Sequence, residues 1–584
     1  MAQAQRRSAI TASMASPIGG WNARDSLAEM NPLDAVQLIN WFPTPSDLTL
    51  RKGYSKHSTG ITGAVNSLMN YAGLTEQKLF AAAGTSIYNV TSSPATAVHT
   101  ITNDKFQHVM MSTAGGDFLV ACNGADPVTL YNGTHWIKVA TTTTAQTIST
   151  ITHVGTTATL TTASAHGLIT GNQVTITGAT ESNYNGTYVI TVTGSTTFTY
   201  VMASAPTSDA TVVGSYTILG ITGVNSNTFI NVNLFKNRLW FTQKDTMKIW
   251  YLPVDSVGGA ATAIDFGGIA RNGGYLQAMG TWTLDAGQGA DDYAVFVTNM
   301  GEIMVYNGTD PTTADTWALK GVWQLGQTFN RRCFFKWQGD LLLLTQDGLV
   351  PLASALQSSR LDPRVNLTDK IYYAVSQAAT AYSSFFGWQI NYFASENMLI
   401  LNIPNGSGTD QYVMHTITKS WARFTGFNAN CFEVYNDRMY FGASGFVGKF
   451  YDTNSDAGTN ITAIVQQAYS YFDSRGQLKR FTMIRPIFLT SGGVPTIAAG
   501  VNIDFETTDV TGAVTFNPAT VVAGTWDSST WDDANWGGGL QVSKIWQGVT
   551  GIGYSAGVYM TVASQNIEVH WASTDYVMER GGVI

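Results

Sequence analysis

The strongest periodic signal in the chain is an alternation of apolar and polar residues that restarts after a polar turn. Asn237-Arg238-Leu239-Trp240-Phe241-Thr242 is echoed by Asp437-Arg438-Met439-Tyr440-Phe441-Gly442. The same turn-then-strand shape recurs in Asp117-Phe118-Leu119-Val120-Ala121-Cys122 and in Asp340-Leu341-Leu342-Leu343-Leu344-Thr345. A second phrase, Leu130-Tyr131-Asn132-Gly133-Thr134, returns as Val305-Tyr306-Asn307-Gly308-Thr309. Period-two alternation bounded by turn residues predicts strands. Units of roughly 40 to 50 residues, each too small to bury its own apolar face, predict stacking into a β-propeller. In this reading Trp240, Phe241, Tyr440 and Phe441 are repeat positions, while Arg238 and Arg438 open their strands and either pair locally or meet a partner.

The pattern divides the chain. Residues 1–60 form an N-terminal arm and opening segment; residues 1–16, small and polar without periodicity, predict a mobile or partner-bound arm. Asp25 or Ser26 is placed to cap one helical turn at 26–30. Propeller strands are predicted over 61–140 and again over 219–455, with a helix pattern confined to 352–385. Between them, 141–218 has no Lys or Arg and only Glu181 and Asp209 as acids. Its strand candidates, 173–177 and 187–192, alternate with turn signals and predict an inserted small β-sandwich-like domain. From 456 the spacing is lost, and 456–584 predicts a C-terminal β domain. The expected class is all-β.

Composition narrows the function. Charged residues make up 12% of the 584 positions, about half the usual 25% for soluble domains, a profile of extended β structure with a hydroxyl and amide surface. A formal net charge of −8 gives no broad basic field for gripping a phosphate backbone. Cys122, Cys333 and Cys431 are far apart and lack CxxC spacing, so they read as buried reduced thiols. No apolar run approaches a membrane span or a secretory signal, which predicts a product assembled in the cytoplasm.

The stretch from Pro17 to Tyr54, followed by propeller text, resembles the tail nozzle family of short-tailed bacteriophages, also called packaged-DNA stabilisation or head-completion proteins. The phrases that carry it are Pro17 with Gly20 and Asn22 to Asp25, including Arg24, then Pro32, Asn40, and Leu50-Arg51-Lys52-Gly53-Tyr54. The ending Tyr576-Val577-Met578-Glu579-Arg580-Gly581-Gly582 is similar to the closing strand of such proteins, and the text around 165–174 to small β inserts of phage structural proteins. The resemblance implies a virion tail component that assembles with itself as a ring, a hexamer, beneath the portal and adaptor rings. It also implies that the ring closes the DNA exit channel and later conducts the genome without sequence-specific binding, with tail fibres or tailspikes as further neighbours. A weakly acidic lumen fits sliding DNA, and heterologous interfaces close into rings when the rotation allows.

Candidate chemistry is sparse. Gly553-Tyr554-Ser555-Ala556-Gly557 matches the nucleophile-elbow letters, but that chemistry needs a strand-to-helix turn with an acid and a His later in the chain. Val558 to Val562 reads as a strand, and His570 is the only later histidine. Asp527, Asp532 and Asp533 beside Asn535 and Gly537 lack EF-hand spacing. Trp526, Trp531, Trp536 and Trp546 suit a core or interface, or sugar stacking. Asp285, Asp291 and Asp292 around Gly287-Gln288-Gly289 read as a solvated loop, since sequence alone sets no carboxylate separation for glycoside hydrolysis. The eight histidines include no zinc pattern. The expectation is a non-enzymatic protein without catalytic, metal or cofactor residues. The alternative is a propeller-based glycan-binding adhesin or carbohydrate-active enzyme, suggested by the aromatic richness.

Overall fold

The computed structural model describes residues 9–583 except 142–144, 286–289, 314, 356–364, 492, 494, 508–512 and 516–539. Among these residues the chain is all-β, arranged in many separate sheets, with α-helix at Leu352–Ala355 and Tyr372–Tyr382.

Most sheets are short antiparallel meanders. One runs Gln107–Thr113, Gly116–Cys122, Thr129–Tyr131 and Trp136–Lys138; others start at Phe229–Phe235, Leu276–Asp285 and Phe334–Trp337, while the meander that starts at Gln389–Phe393 is the first part of a ten-stranded sheet. A longer sheet joins Cys431–Tyr435 and Arg438–Phe450 to Tyr54–Ala72 and the three strands after it. The leading strands lie side by side: Tyr54–Ala72 against Gln107–Thr113, then on through those starting at Phe229, Leu276, Phe334 and Gln389 to Cys431–Tyr435, which returns to Tyr54–Ala72. Amide side chains stitch neighbouring leading strands together. Asn233 Nδ2 donates to Met279 O at 2.9 Å, Gln389 Nε2 to Phe432 O at 2.9 Å and Asn70 Nδ2 to Val434 O at 3.0 Å. Each such bond satisfies a strand carbonyl that its own sheet leaves unpaired.

The repeated phrase is the first hairpin of a sheet. Lys236 and Asn237 have φ of 49° and 54°, and Asn436 and Asp437 have 48° and 55°. Two consecutive positive φ values give the hairpin twist that matches the strands on either side. Gln338 and Gly339, φ 49° and 80°, turn the echo at Asp340 in the same way.

The two ends of the chain are woven together. Ala9–Ala15 pairs antiparallel with Val569–Val583, Ala9 opposite Glu579 and Ala15 opposite Ser573. The expected arm is therefore a strand from residue 9 onward. Its weak periodicity follows from a half-exposed position on which Met14 is the residue turned fully inward. Asp34–Ile39 joins the sheet of Gln389–Phe393 to the C-terminal strands, lying parallel to Trp421–Phe424 on one side and antiparallel to Ile461–Gln467 on the other. Trp41, Phe488, Met560 and Trp571 share one buried cluster, and burying each such side chain stabilises the fold by roughly 1.5–3 kcal/mol. Residues 9–60 and the described residues of 456–583 thus share sheets and core. The boundary expected at residue 60 falls inside Tyr54–Ala72, whose polar first half conceals a strand because it packs few large apolar residues. The turn expected at 26–30 is a single one, with Glu29 N donating to Ser26 O at 3.0 Å.

Residues Gln146–Thr147 to Val213–Ile218 make two four-stranded sheets of their own. Their alternation turns Ile151, Leu160, Val174, Ile176, Phe198 and Tyr216 into one shared cluster. The unit is tied to the sheet before it: Lys138 N donates to Gly171 O at 2.9 Å, and Asn172 Nδ2 to Lys138 O at 2.6 Å.

Candidate functional site

The residues carrying the phage resemblance form two joints. In the first, Asn22 Nδ2 donates to Asp25 Oδ2 at 2.9 Å and Asp34 Oδ2 at 2.8 Å, while its Oδ1 accepts the Arg24 and Asp25 amides. Arg24 bridges Asp25 and Asp369, and Lys370 Nζ reaches Asp34 Oδ1 at 2.8 Å and Gly19 O at 3.0 Å. The hydrogen bond from Arg24 holds Asp25 below the usual carboxylate range. Gly20, at φ 83°, sits so close to Trp421 that a Cβ would lie 2.7 Å from its carbonyl oxygen, so only glycine fits. Pro17 O accepts the Gly20 amide at 3.0 Å, and Pro32 O accepts Gln467 Nε2 at 3.0 Å.

The second joint is buried. Asn40, at φ 59°, accepts Arg51 Nε at 2.8 Å and the Thr425 amide at 2.9 Å, and donates to Thr462 O at 2.7 Å. Arg51 makes a bidentate pair with Asp456 at 2.8 and 2.7 Å, donates to Thr425 O at 2.7 Å, and lies 4.1 Å from the Phe427 ring centroid. A Cβ at Gly53 would collide with the Ser455 carbonyl. Pro17, Gly20, Asn22, Arg24, Asp25, Pro32, Asn40, Arg51 and Gly53 thus all make contacts within the molecule that fasten its opening segment to the sheets.

The repeat residues serve packing. Trp240 stacks on Trp317 at 5.5 Å and donates from Nε1 to Phe235 O at 3.2 Å; Phe241, on the other face, stacks on Phe229 at 4.7 Å. Tyr440 meets His57 edge-on and Phe441 meets Tyr54 edge-on. Arg238 reaches Leu252 O and, 72 residues along the chain, Asp310 Oδ1, both at 3.4 Å, while Arg438 is exposed.

Sequence reasoning overlooked the space between the leading strands. A cavity of about 370 Å³ opens there, lined by residues of every one of them. Arg332 donates to Ser67 Oγ and Phe106 O, each at 3.0 Å, and Arg331 to Ile230 O at 3.2 Å. Both guanidiniums lie on Phe386, at 4.6 and 5.7 Å from its centroid, with Lys105 at 5.2 Å. His108 Nε2 stands 3.6 Å from Glu433 Oε2. Burial pushes Glu433 up to about 8 against the opposing field of Arg332, while burial and then Arg332 push His108 down to about 4. Near neutral pH both members of the pair are therefore largely uncharged. The missed signal is legible afterwards: Gln107, Asn231, Asn233, Gln389 and Asn391 are polar at alternate positions of strands whose other faces are apolar.

The other chemical candidates resolve as follows. Ser555 is fully buried in a strand-to-strand turn between Gln547–Gly553 and Ala556–Ser564, its Oγ 3.3 Å from Asp504 Oδ1, so the strand-to-helix geometry of a nucleophile elbow is absent. The three cysteines are buried and free, each thiol pushed up to about 12 by burial. Arg485 lies 4.6 Å from the Trp546 centroid. The acids and tryptophans of 526–537 lie outside the described residues, as do Gly287, Gln288, Gly289 and the side chains of Asp285, Asp291 and Asp292. Among the described residues no group of three or more His, Cys, Asp or Glu is placed to hold a metal, and no helix is long and apolar enough to cross a membrane.

His570 links Asp47 at 2.9 Å to Glu568 at 3.0 Å. The hydrogen bond it donates to Asp47 raises the imidazole above its ordinary 6.5, outweighing burial. Burial opposes ionisation of Asp47, but hydrogen bonds from His570 and Thr44 prevail and hold it below 3.8. A raised histidine contributes stability that is complete below 6.5 and fades as pH rises through its folded value; the depressed carboxylate contributes above 3.8 and fades as pH falls. The stability gap between wild type and His570→Gln is therefore expected to peak between pH 3.8 and 6.5 and to narrow on both sides. Urea midpoints across that range check it.

No family model matches the chain, and no curated protein matches it. Among solved structures, a putative 6-phosphogluconolactonase from Bacteroides fragilis aligns at 9% identity over 69% of this chain and 91% of that one, with a TM-score of 0.29. The Myceliophteria thermophila Cps50 (Swd1) beta-propeller domain aligns at 9% over 68% and 100%, TM-score 0.26, and BBS1N in complex with ARL6DN at 13% over 49% and 76%, TM-score 0.23. Superpositions this loose carry no argument about activity or partners.

Proposed function

We propose that the chain is a structural protein of a short-tailed phage virion, the tail nozzle that closes the DNA exit channel below the portal and adaptor and conducts the genome during ejection. It is built in this reading on a β-propeller whose blades are the meander sheets, with the unit from Gln146–Thr147 to Val213–Ile218 as an inserted β-sandwich and the joined chain ends as a second β unit. What carries the reading is the opening segment. The phrases that resemble the nozzle family are the residues that form the Asn22–Asp34–Lys370 and Asn40–Arg51–Asp456 joints, so that segment is an architectural part of this fold. The cyclic adjacency of the leading strands supports the propeller. The net charge of −8 suits a conduit that lets DNA slide.

A specific observation favours a second reading, a glycan-binding adhesin. A groove of about 1200 Å³ between the inserted unit and the first sheets is lined by Tyr131, Trp136, Tyr188 and His99, and aromatic rings with a polar handle suit sugars. Mass photometry and electron microscopy of the purified protein, alone and mixed with a portal–adaptor complex, separate the two. A ring that docks on the adaptor is expected; a monomer that ignores the adaptor and binds on a glycan array would replace the nozzle with the adhesin.

A further inference from the structure

We propose that the cavity between the leading strands is a binding site for a small oxyanion of the size and charge of phosphate or sulfate, held by Arg331 and Arg332 with Asn391 as a third donor. The proposal stands apart from ring assembly, because it concerns a cavity within one subunit.

Three observations converge. The first is charge: the cavity is lined by two guanidiniums and one carboxylate, Glu433, so it is net positive in either state of that carboxylate. A partly buried cation without an anionic partner is costly. The second is pairing. The hydrogen-bond acceptors of Arg331 and Arg332 are all neutral, being the carbonyls of Asn66, Phe106, Asn123 and Ile230, the Ser67 hydroxyl and the Gln389 amide. With Phe386 against their faces, Arg331 Nε and Nη2 and Arg332 Nε are the nitrogens not directed to these acceptors among the described residues, and guanidinium geometry matches oxyanions. The third is an orphan donor: Asn391 is 7% exposed, lines the cavity, and its Nδ2 has no partner. A buried amide N–H left unpaired is costly and is satisfied by an acceptor in the cavity.

Size selects the class of ligand. About 370 Å³ is near the lower end of small-molecule sites, enough for an oxyanion with its waters and far too small for a duplex. The charged and titratable groups facing the space are Arg331 and Arg332, His108, Glu433, the Tyr392 phenol and the Cys431 thiol, with Lys105 on Phe386 outside it. His108 is neutral above about 4 and the thiol is protonated up to about 12. Glu433, raised to about 8, is therefore the group whose ionisation opposes the anion over the accessible range.

Isothermal titration of the full chain with inorganic phosphate, and with sulfate, whose charge is constant over the range, tests this. Saturable binding in the millimolar range or tighter is expected, weakened about tenfold or more in Arg331→Gln and in Asn391→Leu. Sulfate affinity should fall as pH rises through about 8 in wild type and stay flat in Glu433→Gln. Arg332→Gln loosens Ser67 and Phe106 as well, so Arg331→Gln and Asn391→Leu, checked for folding by circular dichroism, carry the decision. No binding of either anion by wild type, or binding unchanged in both variants, overturns the proposal. Displacement of bound phosphate by a single-stranded oligonucleotide as effectively as by free anion would overturn its restriction to a small ligand.

Discussion

Arg51→Met is expected to destabilise the protein by about 3–5 kcal/mol, because it removes one partner of a buried, hydrogen-bonded ion pair. Arg51 is 1% exposed and the Asp456 side chain 12%. Without the guanidinium, Asp456 keeps its desolvation penalty, Asn40 Oδ1 is left with the Thr425 amide as donor, and Thr425 O loses the Arg51 donor. Arg24 offers the comparison. It belongs to the same opening segment and meets two carboxylates where Arg51 meets one, yet its side chain is 38% exposed and those of Asp25 and Asp369 are 34% and 26%. Arg24→Met is expected to cost no more than about 1 kcal/mol. Urea unfolding of both variants, with added salt as a second axis, reads the contrast. A shift for Arg51→Met no larger than for Arg24→Met would mean that the second joint does not hold the segment.

Trp240→Ala is expected to cost about 3–5 kcal/mol, the usual range for emptying a buried tryptophan site. Trp240 is 1% exposed and packs on Trp317, Tyr251 and Phe296, so it touches the following sheet as well as its own. Arg238, two positions earlier, is expected to tolerate alanine within about 1 kcal/mol, since its ion pair with Asp310 is long at 3.4 Å and Asp310 is 41% exposed. If Arg238→Ala instead impairs docking on a partner while leaving the unfolding midpoint in place, the repeat would have a recognition role besides a packing one.

These two pairs also show what the sequence makes legible. The repeat phrase could be read because its information is local: two left-handed turn residues followed by alternation describe a hairpin wherever they occur. Trp240 and Phe241 fall on opposite faces for the same period-two reason, and each meets a different neighbouring sheet. The joints could be recognised only as phrases. Asn22 and Asp34 are 12 residues apart, but Asn40 and Thr462 are 422 apart and Arg51 and Asp456 are 405 apart, and no local period encodes such pairings. The strand at Ala9–Ala15 was hidden for a related reason. Its partner lies at the far end of the chain, and its own residues are mostly small. The cavity escaped because its polar positions are spread one or two to a strand, each unremarkable until the leading strands lie side by side.

The pairing of Ala9–Ala15 with Val569–Val583 has a consequence in time. A ribosome makes the first of these strands long before the second, so until Val569–Val583 is made the early strand lacks the edge on which it settles. Asp34–Ile39, held between strands near residues 423 and 465, waits almost as long. Contacts this distant are slow to form, and unpaired strands invite the wrong partner meanwhile. Synthesis of Val569–Val583, rather than emergence of any earlier sheet, is the event that gives Ala9–Ala15 its edge.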